Sequence, residues 1–240
     1  MIGLIHSSDV EVLTDALWAL AYLSGGENVL GLVDDPALLS HIVGLLLHHL
    51  PLVQRPAITV IGNLCQGPDE QTQAALDAGA LSPLRELLSS PAAWLRKEGA
   101  WALSNVCAGS RVQIQAVLDC DALTPLMDLM RNDPGPARRE AAWAIINAAA
   151  GGSSEQAELL VGHGAINALH DLLVGSVELV GLGLMGLEHI LRQGDELFPD
   201  GSNLWAHSCV VAGVPAALMS IAAAHHPERF RAGVLLLRYW

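Results

Sequence analysis

Apolar residues along the chain recur at three- and four-residue spacings in short segments, and glycine turns close those segments on a regular beat. The turns are Gly25-Gly26, Gly67, Gly109, Gly151-Gly152 and Gly194. Such spacing predicts helices, and a glycine at each end can take the left-handed conformation that stops one. A second phased signal, Gly79-Ala80-Leu81, Asp121-Ala122-Leu123 and Gly164-Ala165-Ile166, recurs 42 or 43 residues apart and marks a tight turn between two shorter helices. One period therefore reads as a short helix over Asp69 to Asp77, a second over Leu81 to Leu88 and a long third over Trp94 to Ala108. The pattern returns as Val112 to Leu118, Leu123 to Met130 and Ala137 to Ala149, then as Glu155 to Gly162, Ile166 to Leu173 and Val177 to Leu191. Pro56, Pro91 and Pro136 are expected before or within the first turn of third helices, where a missing N–H costs little.

Three helices in about 42 residues is the armadillo period, so the expected fold is all-α. It should be a right-handed superhelical solenoid of about five to six repeats. The whole chain, 1–240, is read as a single domain: a partial repeat at 1–25, repeats at 26–67, 68–109, 110–151 and 152–194, and a terminal repeat at 195–240. That last unit holds helices near Trp205 to Val211, Pro215 to Ala223 and Glu228 to Tyr239. Gly164 and Gly213 are 49 residues apart, so Asp195 to Ser202 is expected as an inserted surface loop. At the other end Ile2, Leu4 and Ile5 would face nothing, which implies preceding repeats or contact with another chain.

The hydrophobic share is 52% but the aromatic share only 4%, so Ala and Leu must supply most of the packing, as suits closely approaching helices. Twelve Lys and Arg stand against 25 Asp and Glu, a net charge of −13. That balance excludes nucleic acid as the expected partner and favours a cationic one, although acidity also serves solubility alone. Cys65, Cys107, Cys120 and Cys209 lack C-x-x-C spacing and read as reduced core thiols. Met1 to Asp9 has no signal-peptide pattern, and no apolar run approaches the roughly 18 residues of a spanning helix, so no membrane is expected.

Asn63, Asn105, Asn147 and His189 stand at 42-residue intervals, and Thr59, Trp101, Trp143 and Met185 precede each by four residues. Residues four apart share a helix face, so Trp101 lies over Asn105 and Trp143 over Asn147. Successive indoles offer flat, electron-rich walls for a Lys or Arg stem, each worth roughly 0.5–2 kcal/mol. The amide, both donor and acceptor, can hold an extended peptide bond without reading its side chain. Glu98 and Glu140, three residues before the tryptophans, are placed to neutralise cationic heads, as is Asp69, though each carboxylate serves equally as a solvated or capping group. A buried indole with a structural amide is the competing reading of each pair; recurrence in register favours binding.

The runs Asp15-Ala-Leu-Trp-Ala-Leu-Ala-Tyr-Leu23, Ile61-Gly-Asn-Leu64, Asp69-Glu-Gln-Thr-Gln73, Lys97-Glu-Gly-Ala-Trp-Ala-Leu-Ser-Asn105 and Arg139-Glu-Ala-Ala-Trp-Ala-Ile-Ile-Asn147 resemble the C-terminal half of importin-α (karyopherin-α), the nuclear-import adaptor. From about Glu11 to Leu235-Leu-Leu-Arg-Tyr-Trp240 the chain looks like repeats five to ten of that family. The resemblance implies a minor nuclear-localisation-signal site made of Trp101, Asn105, Trp143, Asn147, Asn63, Glu98, Glu140, Asp69 and Thr72, with Trp18 and Tyr22 in the fifth repeat. Thr59, His189 and Gly25 depart from the family pattern, which usually has Arg, Asn and Asp there. It further implies a protein of cytoplasm and nucleus that carries cargo with Lys/Arg-rich signals. The importin-β-binding segment and the first four repeats are absent, so importin-β is not an expected partner of this chain.

Two roles follow from that resemblance. One is a non-enzymatic adaptor binding basic peptides; the other is a truncated scaffold that binds an export receptor through its last repeats without cargo of its own. An enzyme is not expected, since G-x-S-x-G, P-loop, H-E-x-x-H and paired-Cys motifs are missing. The doublets His48-His49 and His225-His226 have no third ligand at metal spacing and read as polar residues near helix C-termini. No metal and no cofactor are expected.

Overall fold

The computed structural model describes residues 2–25, 30–224 and 226–240, without the side chains of Ile2 and Leu30. Gly26 and His225 therefore lie outside the described residues. Those residues form helices and turns with no strand among them, and they divide into two compact units, 1–122 and 123–240.

In the first unit a 3-10 turn, Ile2–His6, leads into α1, Val10–Ser24, whose start is fixed by Asp9 accepting the Glu11 N–H at 2.9 Å. There follow α2 (Leu30–Val33), α3 (Pro36–Gly44), α4 (Pro51–Gln66), α5 (Asp69–Asp77), α6 (Leu81–Leu87), α7 (Ala93–Val106) and α8 (Arg111–Asp119). The long helices α1, α4 and α7 pack in sequence, α4 touching both others. Their core is aliphatic: Leu17, Ile58, Ile61, Leu64, Leu84 and Leu103 are fully buried, each such side chain contributing roughly 1.5–3 kcal/mol relative to exposure.

The second unit continues with α9 (Leu123–Asn132), α10 (Ala137–Gly151), α11 (Ser154–Gly162), α12 (Ala165–Val174), α13 (Val180–Leu197), α14 (Leu204–Val211), α15 (Val214–Ala223) and α16 (Arg229–Tyr239). Here α10 packs on α13, and α12 packs on α13 as well. Small residues at one register explain how the third helix of a repeat lies so close on the second. A Cβ added at Gly99 would sit 3.1 Å from the Leu84 carbonyl, and one at Gly183 would sit 2.9 Å from that of Leu169. Ala57 and Ala141 hold the corresponding places in the other repeats and are fully buried.

Several local expectations are corrected. The left-handed residues are not the glycines ending the long helices: Gly67 and Gly152 have φ of −79° and −72°. They are Gly79, Gly164 and Gly213, at φ 90°, 88° and 85°, with Asp121 at φ 58° in the equivalent turn, and Gly201, at φ 84°, in the loop before α14. The reversal between the two short helices is the step that demands positive φ. Because a side chain there is strained by about 1–2 kcal/mol, Asp121→Gly is expected to raise the unfolding free energy by up to about 1 kcal/mol in a urea melt, after glycine's own entropic cost.

Pro56 lies inside α4, not in its first turn, where Pro51 sits instead. Gly194 does not end a helix: α13 runs on to Leu197, shortening the expected loop, and Gly194 admits the Asn203 side chain to 2.5 Å of where its Cβ would be. At the chain's start Ile5 is 1% exposed, so of the three apolar residues expected to face nothing, Leu4, at 51%, is the one shown in solvent.

The cysteines are free, and burial pushes the thiols of Cys65, Cys107 and Cys209 up to about 12. Cys120 is only half-buried, although burial raises its thiol as well. In the folded protein at mildly alkaline pH a maleimide should modify Cys120 alone, with the other three reacting only on unfolding; mass spectrometry of the labelled chain checks this. Among the described residues no single helix is long and apolar enough to cross a membrane.

Candidate functional site

In the first unit the tryptophan–asparagine register is built on α1, α4 and α7. Trp18 and Tyr22 lie one turn apart on α1, ring centroids 6.1 Å from each other, and Tyr22 is 80% exposed. The half-buried Trp101 on α7 lies against the backbone of α4 because position 62 has no side chain. A Cβ built on Gly62 would fall 2.6 Å from the indole Cη2 and 2.8 Å from Cε3. One indole face is thereby fixed by packing while the residue stays partly open to solvent.

The asparagines serve the scaffold as well as any ligand. Asn63 Nδ2 donates to the Ala21 carbonyl at 3.0 Å and to Ser24 Oγ at 3.1 Å, and Asn105 Nδ2 donates to the Gly62 carbonyl at 3.2 Å. Each amide so ties its long helix to the preceding one. Asn63 has both N–H groups committed and offers Oδ1 as an acceptor, whereas Asn105 keeps one donor besides its acceptor. The amides are thus held in fixed orientation, a condition for reading a peptide backbone. A depression of about 400 Å³ opens beside Asn63, lined by Ser24, Gly25, Gln66, Pro68 and Gln71.

The acidic and hydroxyl groups are distributed unevenly. Glu98 pairs with the adjacent Lys97 at 2.9 Å, both partly exposed, a surface pair worth at most about 1 kcal/mol that a ligand cation can displace. Asp69 is exposed at the first position of α5, and its carbonyl accepts from Gln113 Nε2 at 2.8 Å. Thr72 is buried, and its hydroxyl donates to the Cys65 carbonyl at 3.3 Å at the end of α4.

In the second unit Glu140, Trp143 and Asn147 lie on one face of α10, all half-buried. One period on, His189 of α13 takes the amide position. Burial first, then the Arg192 guanidinium, holds its imidazole below the usual histidine range, and Arg192 Nη2 donates to its Nδ1 at 3.3 Å. It is therefore a neutral ring whose Nδ1 accepts. The His48 and His226 rings cap backbone, with Nδ1 accepting the N–H of Leu50 and of Glu228, and the described residues contain no cluster of three metal-ligating groups.

Residues 68–108 and 110–150 match the family of the armadillo/beta-catenin-like repeat. Among curated proteins, importin subunit alpha-1b of Oryza sativa subsp. japonica is 48% identical over 195 residues, covering 80% of this chain and 36% of that protein. Importin subunit alpha-4 of Arabidopsis thaliana is 38% identical over the same coverage. The chain carries armadillo repeats homologous to part of the importin-α armadillo domain. The matched part spans about a third of the length of those relatives. Among solved structures, a designed armadillo repeat protein in complex with the peptide (KR)4 superposes at TM-score 0.88 with 29% identity, over 99% of this chain and 97% of that one.

One contact near these residues was not legible in the sequence. Arg55 on α4 lays its guanidinium over the Trp94 ring, Cζ 4.9 Å from the centroid. Both lie in the repeated register, Trp94 seven residues before Trp101 and Arg55 four before Thr59; Arg55 recurs as Lys97 and Arg139, but Trp94 has no counterpart at the 42-residue period.

Proposed function

We propose that this chain is a peptide-binding adaptor of nuclear protein import, taking extended Lys/Arg-rich nuclear localisation signals on helix faces that carry its tryptophans and asparagines. The observation that carries the reading is the seating of Trp101 on Gly62 with Asn105 tied to the same glycine's carbonyl, which presents an indole and a free amide edge in one fixed orientation. The same residue types stand at Trp143 and Asn147 one period on. A net charge of −13 supplies the long-range attraction, and a solved armadillo neighbour binds an alternating Lys-Arg peptide. Trp18, Tyr22, Asn63, Asp69, Thr72, Glu98 and Glu140 complete the proposed site, with Thr72 and Asn63 acting chiefly by holding its helices. Shuttling between cytoplasm and nucleus follows from this role. The export-receptor scaffold has no observation of its own in its favour.

Fluorescence anisotropy of a labelled Lys/Arg-rich peptide tests the proposal. Saturable binding that weakens as salt rises supports it, because exposed charges are screened within about 10 Å at 0.1 M salt. An equally tight acidic peptide, or no binding at low salt, refutes it.

A further inference from the structure

Trp18, Pro51, Leu52, Arg55 and Trp94 line a depression of about 320 Å³ at the N-terminal ends of α4 and α7. Two indoles on neighbouring surfaces form the kind of slot proposed above for a ligand's cation. Here the cation is already present and belongs to the chain. Arg55 is exposed at its helix surface and stacks on Trp94, and among the described residues no carboxylate pairs with it. One turn along the face that leads to Asn63, Thr59 Oγ1 donates to the Arg55 backbone carbonyl at 2.9 Å.

We infer that Arg55 is a specificity-determining residue, a tethered occupant that closes the Trp18–Trp94 slot to Lys and Arg and leaves it open to an apolar side chain. The Trp94 face that would attract a second cation is taken, and a second positive charge beside Arg55 is repelled. What remains accessible is apolar: the Trp18 ring, the Pro51 ring, the half-exposed Leu52 and the edge of Trp94. A leucine, methionine or aromatic side chain fits that lining by area burial and brings no second charge beside Arg55. On the peptide-binding reading, a basic segment bound by this chain would carry an apolar residue where it meets α1 and α4. Arg55→Ala converts the slot, freeing both indoles for a cation.

The experiment has two arms. In the first, the indole N–H signals of Trp18 and Trp94 are followed by nuclear magnetic resonance as N-acetyl-leucinamide or N-acetyl-lysinamide is added. Leucinamide should shift them in the wild type while lysinamide does not, and Arg55→Ala should restore a lysinamide response. Equal responses to both ligands in the wild type, or no gain in the variant, overturn the inference whether or not any peptide binds.

The second arm, which rests on the proposed function, compares basic peptides flanked on both sides by Leu or by Lys. The affinity ratio, Leu-flanked over Lys-flanked, should fall about 2- to 30-fold on Arg55→Ala, the range of one cation–indole contact. An unchanged ratio overturns the inference and leaves the proposed function standing. Absence of binding by either peptide to the wild type overturns the proposed function, and the first arm then decides the slot.

Discussion

The double substitution Trp101→Ala with Trp143→Ala is expected to lower affinity for a Lys/Arg-rich peptide by about tenfold to several hundredfold. Each indole wall contributes roughly 0.5–2 kcal/mol to a cation held against it, and tryptophans at the centre of an interface commonly cost 2 kcal/mol or more on truncation. Both residues are half-buried, so the loss of packing must be separated from the loss of binding. Thermal melts of the variant provide that separation. A folded variant whose isotherm is indistinguishable from wild type would remove tryptophan from the binding mechanism.

Gly62→Ala should weaken peptide binding nearly as much as Trp101→Ala, without replacing any proposed ligand-contacting side chain. The added methyl would overlap the indole, so the ring must leave its seat on α4. The Asn105 bond to the Gly62 carbonyl shares that seat and is strained with it. Stability should fall by only about 1–2 kcal/mol, because overpacking costs about 1–3 kcal/mol while alanine regains about 1 kcal/mol of helix propensity over glycine. Urea denaturation and anisotropy on the same sample give both numbers. Full binding by a folded Gly62→Ala protein would show that the seat of Trp101 is irrelevant to recognition.

The period was plain in the chain because each repeat buries the same register. Asp69–Asp77 is a helix as read, and the short helices near Leu123 and Ile166 begin within a residue of expectation. Less legible was what glycine does at each place. In the turns at Gly79, Gly164 and Gly213 it supplies positive φ; at Gly62 and Gly194 it makes room for Trp101 and Asn203. Sequence spacing alone does not separate those uses, and so Gly194 was taken for a helix end when it lies inside one. Pro56 misled for a related reason: the true first-turn proline, Pro51, stands five residues earlier.

Within the site, the residue types and their face followed from the four-residue offset, but the commitment of the amide donors did not. Asn63 and Asn105 bond across to the preceding long helix, a contact between residues about 42 apart that only the packing of α1, α4 and α7 creates. The stack of Arg55 on Trp94 is likewise a contact across two repeats, which spacing along the chain does not reveal.

The most direct measurement follows the indole N–H resonances of all tryptophans while a Lys/Arg-rich peptide is titrated. Trp205, 5% exposed and edge-on to Phe198, is the internal reference. The expected result is saturable shifts at Trp101 and Trp143 with the same dissociation constant and no change at Trp205. Binding that leaves both Trp101 and Trp143 unmoved would contradict the account.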